Sequence, residues 1–115
     1  MVETKVIFII SSGAEQKEKA LSGLRMAINM KVKNRVDDVR ILFFGPSEEM
    51  IAKTDATIDQ MLKEATEAGV YKSACSFIAE SKKVDKELKA KDVKLEPAGE
   101  VVAKALKEGY FPITF

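Results

Sequence analysis

At 115 residues, with 46% apolar and 32% charged residues, the chain has material for one well-solvated domain, residues 1–115, around a single hydrophobic core. A formal net charge of +1 argues for neither a nucleic-acid nor a membrane-surface partner. Histidine is absent and cysteine occurs once, which excludes Ser-His and Cys-His nucleophile–base pairs within one chain, Cys/His zinc sites and an internal disulfide.

The first element, "KVIFII" (Lys5–Ile10), is a run of β-branched and aromatic residues suited to a strand buried on both faces of a parallel sheet. "SSGAE" follows, and Ser12 with Glu15 three residues later reads as a capping box for a helix reaching about Lys33. Its inward face carries Ala20, Leu21, Leu24, Ala27, Ile28 and Val32. "VRILFF" (Val39–Phe44) is a second buried strand, ended by Gly45 and Pro46. "SEEMIAK" reads as a short helix, with Glu48 and Glu49 as first-turn carboxylates that complement its dipole.

Thr57 and Gln60 suggest a further capping box, on a helix that turns Ile58, Met61, Leu62, Ala65 and Ala68 inward and stops at Gly69. "VYKSAC" admits either a strand or a continuation of that helix; the alternation of strands and helices so far favours a strand. "SFIAESKKVDKELKAKD" opens as a helix and continues as a less regular, lysine-rich solvated face, and "VKLE" is a short strand. Pro97 suits the first turn of a helix over "PAGEVVAKALKE", which Gly109 ends. "YFPITF" closes the chain as an edge strand, since Pro112 cannot donate to a ladder. Its aromatic residues mark a surface for self-association. The methionines at 26, 30, 50 and 61 read as core packing.

The expected architecture is therefore α/β: three layers, α/β/α, about a mostly parallel five-stranded sheet. Ligands of such sheets gather beyond the carboxyl ends of the strands, which selects Ser11, Ser12 and Gly13, then Gly45, Pro46 and Ser47, then Cys75 and Ser76. Cys75 is the candidate reactive group: a thiol at the start of a helix is favoured as thiolate, and Lys72 lies close in sequence. The alternative is a buried cysteine acting as a small hydrophobe. No phosphate-loop signature accompanies "SSGAEQ", so Ser12 is read first as a cap. No cofactor or metal is expected. The longest apolar runs are too short to span a bilayer, and no cleavage site follows Met1, so a cytoplasmic location is expected.

Four segments in order, "KVIFIISSG", "VRILFFGPS", "GVYKSACSFIA" and "AGEVVAKALKEGYFPITF", resemble the DsrE/DsrF-like family of small α/β sulfur-relay proteins. The resemblance spans essentially the whole chain, and Cys75 occupies the position of the cysteine that ends the third strand in its sulfur-transferring members. It implies a persulfide carrier, possessing a donor and an acceptor protein as partners and assembling as a homotrimer or hexamer. Thiolate exchange of this kind needs no histidine. Family members without the cysteine imply the alternative, a non-catalytic oligomeric module that binds a ligand or partner.

Overall fold

A computed structural model describes residues 3–115; Met1, on which the leader expectation rests, lies outside them. Five strands, β1 (Lys5–Ile10), β2 (Asp38–Phe43), β3 (Tyr71–Cys75), β4 (Lys94–Glu96) and β5 (Tyr110–Thr114), form one sheet in the order β4-β3-β2-β1-β5. Every neighbouring pair is parallel, so the sheet is fully rather than mostly parallel. The segment at Tyr71–Cys75 is a strand, in register with β2 from Arg40↔Tyr71 to Phe43↔Ala74.

Six helices connect the strands: α1 (Lys17–Val32), α2 (Pro46–Ala52), α3 (Ala56–Glu67), α4 (Ser76–Ser81), α5 (Asp85–Ala90) and α6 (Ala98–Lys107). The lysine-rich stretch is more regular than expected, because Leu88 is fully buried and anchors α5. The chain steps from β1 outward to β4 in one direction and then returns past β1 to β5. Right-handed crossovers place helices on opposite faces when the direction reverses, and the packing agrees. α1, α2, α3 and α5 share a core with Val6, Phe8, Ile10, Val39, Ile41, Phe43 and Ala74. α6 lies on the other face, where Ala98 and Ala105 meet Ile7, Leu42, Cys75 and Tyr110. A single ten-residue helix covers that second face, so part of it stays open.

Both expected capping boxes are absent. Neither Ser12 nor Thr57 caps a helix: α1 is entered through a 3-10 turn at Ala14–Gln16 without a side-chain cap, and Asp55 caps α3 by accepting from Ile58 N–H at 3.1 Å. The chain end explains the first. Ser11 and Ser12 N–H groups both donate to the Phe115 carbonyl, at 2.8 and 3.3 Å, which ties the loop to β5 instead of to α1.

β5 is an edge, as Pro112 requires, and Phe111 is 69% exposed there. Phe115 instead turns inward and stacks on Phe8, with ring centroids 6.0 Å apart. Of the four methionines read as packing, Met50 and Met61 are buried and Met30 is partly so, while Met26 is exposed. Among the described residues no helix is long and apolar enough to cross a membrane.

Candidate functional site

The carboxyl ends of β1 and β2 are locked together by Ser47. Its hydroxyl donates to the Ile10 carbonyl at 2.5 Å and accepts from Phe44 N–H at 3.1 Å, and its own N–H donates to the Ser11 carbonyl at 3.2 Å. Ser47 is fully buried, so this residue, expected to line a pocket, is structural. Gly13 lies against the same turn. A Cβ added to it would stand 2.7 Å from the Pro46 Cβ and 2.8 Å from the Pro46 carbonyl oxygen, closer than real contacts allow. Gly13→Ala is therefore expected to destabilise the fold by about 1–2 kcal/mol, as overpacking against rigid backbone does, read as a lowered midpoint in urea denaturation.

Ser11, Ser12, Gly13 and Pro46 do border one cleft, of about 580 Å³, with Lys19, Glu49 and Lys53 at its rim. Gly45 and Ser76 lie outside it, and so does Cys75. Of the eight residues expected at the strand ends, four border this polar cleft, Ser47 is buried in the strand junction, Gly45 and Ser76 line neither, and Cys75 stands apart on the α6 side of β3.

Cys75 ends β3 and precedes α4. Its side chain belongs to the buried cluster on the α6 face, which also holds Leu42 and Ala98, and only 5% of the residue is exposed. α4 has six residues, under two turns, so it brings Cys75 little of the dipole that the sequence suggested. Lys72 cannot assist the thiol. Strand side chains alternate between faces, and Lys72 points to the opposite side, where its ammonium meets the Thr66 hydroxyl and lies 3.7 Å from Asp92.

A buried carboxyl, Glu48, lies over the end of β2. Gly45, at φ 76°, turns the chain into α2 in a conformation that glycine adopts without strain. Its carbonyl accepts from Glu48 N–H at 3.0 Å, while its own N–H donates to Glu48 Oε2 at 3.1 Å. This folds the Glu48 side chain back over the end of β2. The residue is 0% exposed and Oε1 has no hydrogen-bond partner. Burial pushes the carboxyl up to about 7, against the pull of the Gly45 and Cys75 backbone N–H groups toward the ionised form. Glu49, its neighbour in sequence, is exposed and 3.8 Å from Lys82. Reading the two glutamates together as first-turn carboxylates missed this difference. The spacing held a signal, since Glu48 shares a helical face with the buried Ile51 and Ala52 at i+3 and i+4.

A second concavity, of about 500 Å³, lies where α6 leaves the sheet uncovered. Ser73 is 1% exposed at its floor, its hydroxyl unpartnered. Arg40, Tyr71 and Glu96 surround it, with Glu100 and Lys104 on α6 above. Tyr71 donates to Glu96 at 2.7 Å, and the Arg40 guanidinium sits 4.2 Å over the Tyr110 ring. Among the described residues no group of three metal-ligating side chains is found.

No family model and no curated protein matches the chain. Solved structures do. A conserved protein of unknown function from Bacteroides thetaiotaomicron, BT1422, superposes with a TM-score of 0.80 at 18% identity, over 95% of this chain and 94% of that one. The ychN protein from E. coli gives a TM-score of 0.76 at 17% identity, over 97% and 99%. At such identities the likeness concerns the fold alone, and it supports the expected α/β architecture about a parallel five-stranded sheet.

Proposed function

We propose that the chain is a cytoplasmic sulfur-relay protein that carries a persulfide on Cys75, receives sulfur from one protein thiol, passes it to another, and works as a homotrimer or hexamer. The observation that carries this reading is the placement of the only cysteine, Cys75, at the carboxyl end of a strand of a parallel sheet, where such folds gather their ligands. Thiol exchange needs a thiolate and a place for its proton. The chain has no histidine for that task. Exposed aromatics support the assembly: Phe44 follows β2, Phe77 opens α4 and Phe111 lies on the β5 edge. The cover over Cys75 favours a small polysulfide anion as first donor in the isolated chain, with α4 or α6 displaced by protein partners.

The test is intact mass after incubating the reduced protein with inorganic polysulfide. A gain of one sulfur, reversed by reductant and lost in Cys75→Ser, is expected. The absence of any gain, with a thiol that also resists alkylation in the native state, would sink the reading. The second reading is a non-catalytic oligomeric module with Cys75 as packing. The burial of Cys75 in the apolar cluster of the α6 face favours it, as does the unpartnered Ser73 hydroxyl in the groove under α6.

A further inference from the structure

The groove under α6 carries charges of both signs that do not meet. On this face of the sheet the registers Arg40↔Tyr71 and Cys75↔Glu96 set two levels, with Ser73 midway between them on β3. Glu96 stands toward the carboxyl ends of the strands and Arg40 toward the amino ends. α6 starts just after β4 and runs back toward the start of β5. Glu100, in its first turn, therefore stands at the Glu96 end, and Lys104, about 6 Å further along the helix, at the Arg40 end.

Among the described residues no ion pair joins any two of these four groups. Arg40 reaches only Glu108, at 3.4 Å, and Glu100 and Lys104 have no charged partner. Asp38, at the amino end, is taken up by Lys31 at 2.9 Å and by the Tyr110 hydroxyl at 2.5 Å. Between the two ends the Ser73 hydroxyl is buried without a hydrogen-bond partner. The Tyr71 phenol, pushed up to about 12 by burial and by Glu96, stays a donor, and its bond to Glu96 passes over the level of Ser73. A buried hydroxyl is costly to leave unpaired, so an orphan in the floor of a groove points to a partner from outside the chain.

We propose that this groove binds a small zwitterion of dipeptide length, its ammonium between Glu96 and Glu100, its carboxylate between Arg40 and Lys104, and its amide on the Ser73 hydroxyl. The two levels lie roughly 13 Å apart along β3. Side chains reaching in from both ends shorten that gap to the span between the termini of a dipeptide, more than a single amino acid covers. Arg40 suits the carboxylate because its planar fork presents parallel donors. Glu108 holds it only at 3.4 Å, beyond the usual length of a charge-assisted bond, and yields to a closer acceptor. The ligand reaches Ser73 by displacing the Tyr71–Glu96 bond, which frees Glu96 for the ammonium. A simple anion or cation satisfies one end of the groove, whereas a zwitterion satisfies both. Its volume, about 500 Å³, admits such a molecule. Cys75 does not line the groove, so this site stands or falls separately from sulfur carriage.

The experiment is an NMR titration of the nitrogen-labelled full-length protein with alanyl-alanine, alongside free alanine, the N-acetylated dipeptide and the dipeptide amide. Saturable shifts are expected at the backbone amides of Tyr71–Cys75 and on the first turns of α6. Each capped form is expected to bind about tenfold more weakly, since each loses the charge-assisted contacts of one end. No saturable shift up to about 10 mM dipeptide overturns the site. A capped form that binds as tightly as the dipeptide overturns the zwitterion, and alanine binding as tightly overturns the length.

Variants check the placement. Lys104→Gln and Glu100→Gln alter exposed side chains without charged partners, so they keep the fold, and each is expected to weaken dipeptide binding about threefold. Glu96→Gln is expected to weaken it about tenfold. Ser73→Ala is expected to weaken it about fivefold while raising the melting temperature of the unliganded protein, because it removes a buried hydroxyl without a partner. Unchanged binding in all four variants overturns the site, and so does a Ser73→Ala that melts lower and binds as wild type. Shifts at the same residues that grow with protein concentration in the absence of dipeptide would put a second copy of the chain over the groove and overturn it as well.

Discussion

Glu48→Gln is expected to abolish most of the decline in stability between about pH 5 and pH 8 and to leave the variant more stable than wild type at the alkaline end. The carboxyl's ordinary value is 4.5, and burial raises it to about 7 in the folded chain. A raised folded value means that the native state holds a proton the unfolded chain has released. Glu48's favourable contribution is complete below 4.5 and is lost as pH climbs to about 7, after which the buried carboxylate is ionised in both states. A tenfold change in proton affinity is worth about 1.4 kcal/mol, so the loss is on the order of 3 kcal/mol. Glutamine keeps an oxygen for the Gly45 N–H and never ionises, so its stability should be nearly flat over that range. Urea denaturation at several pH values measures both slopes. A wild-type slope equal to that of Glu48→Gln would mean that the carboxyl is solvated and close to its ordinary value.

Much of the fold is written locally. The runs at Lys5–Ile10 and Val39–Phe44 were legible as buried strands, Phe44 excepted at 41% exposed, and the 3.6-residue spacing marked the inward faces of α1 and α3 except at Val32, which is 58% exposed. What local pattern could not supply were the ends of elements. Ser12 had every feature of a cap, yet its N–H is taken by Phe115, at the far end of the chain. Asp55 caps α3 although a capping box was readable two residues later. Such competitions are decided by contacts across the sheet, which no window of sequence contains. The site divides in the same way. Cys75 was legible because its position depends on the order of strands. Glu48 was not, because its burial depends on α2 folding back over β2 through the Gly45 turn. Ser47, placed among pocket residues by its loop, is consumed in joining β1 to β2.

Lys72→Met is the other substitution expected to move stability strongly, and it should stabilise. Val70, Lys72 and Ala74 alternate on one face of β3, and that face meets α3 and α5. The lysine side chain is 1% exposed. Its ammonium has the Thr66 hydroxyl and, at 3.7 Å, Asp92, whose own side chain is 59% exposed and so mostly solvated. Burial pulls the ammonium below the ordinary lysine value of 10.5, with Asp92 only partly restoring it. The cost of keeping that charge inside is thus weakly offset. Methionine fills nearly the same volume with no charge, and it leaves behind an aspartate that water already serves and a threonine hydroxyl that bonds the Leu62 carbonyl at 3.2 Å. Replacements of poorly compensated buried ions by apolar residues typically gain about 1–4 kcal/mol, and the lower half of that range fits a charge with one partial partner. The pH dependence supplies the sign. A depressed folded value means the unfolded chain binds the proton more readily, so wild-type stability should rise as pH climbs toward 10.5, and Lys72→Met should lack that rise. Thermal unfolding near neutral and mildly alkaline pH decides it. A variant that melts below wild type would show that the link to Thr66 and Asp92 holds α3 and α5 onto β3 more strongly than the buried charge opposes it.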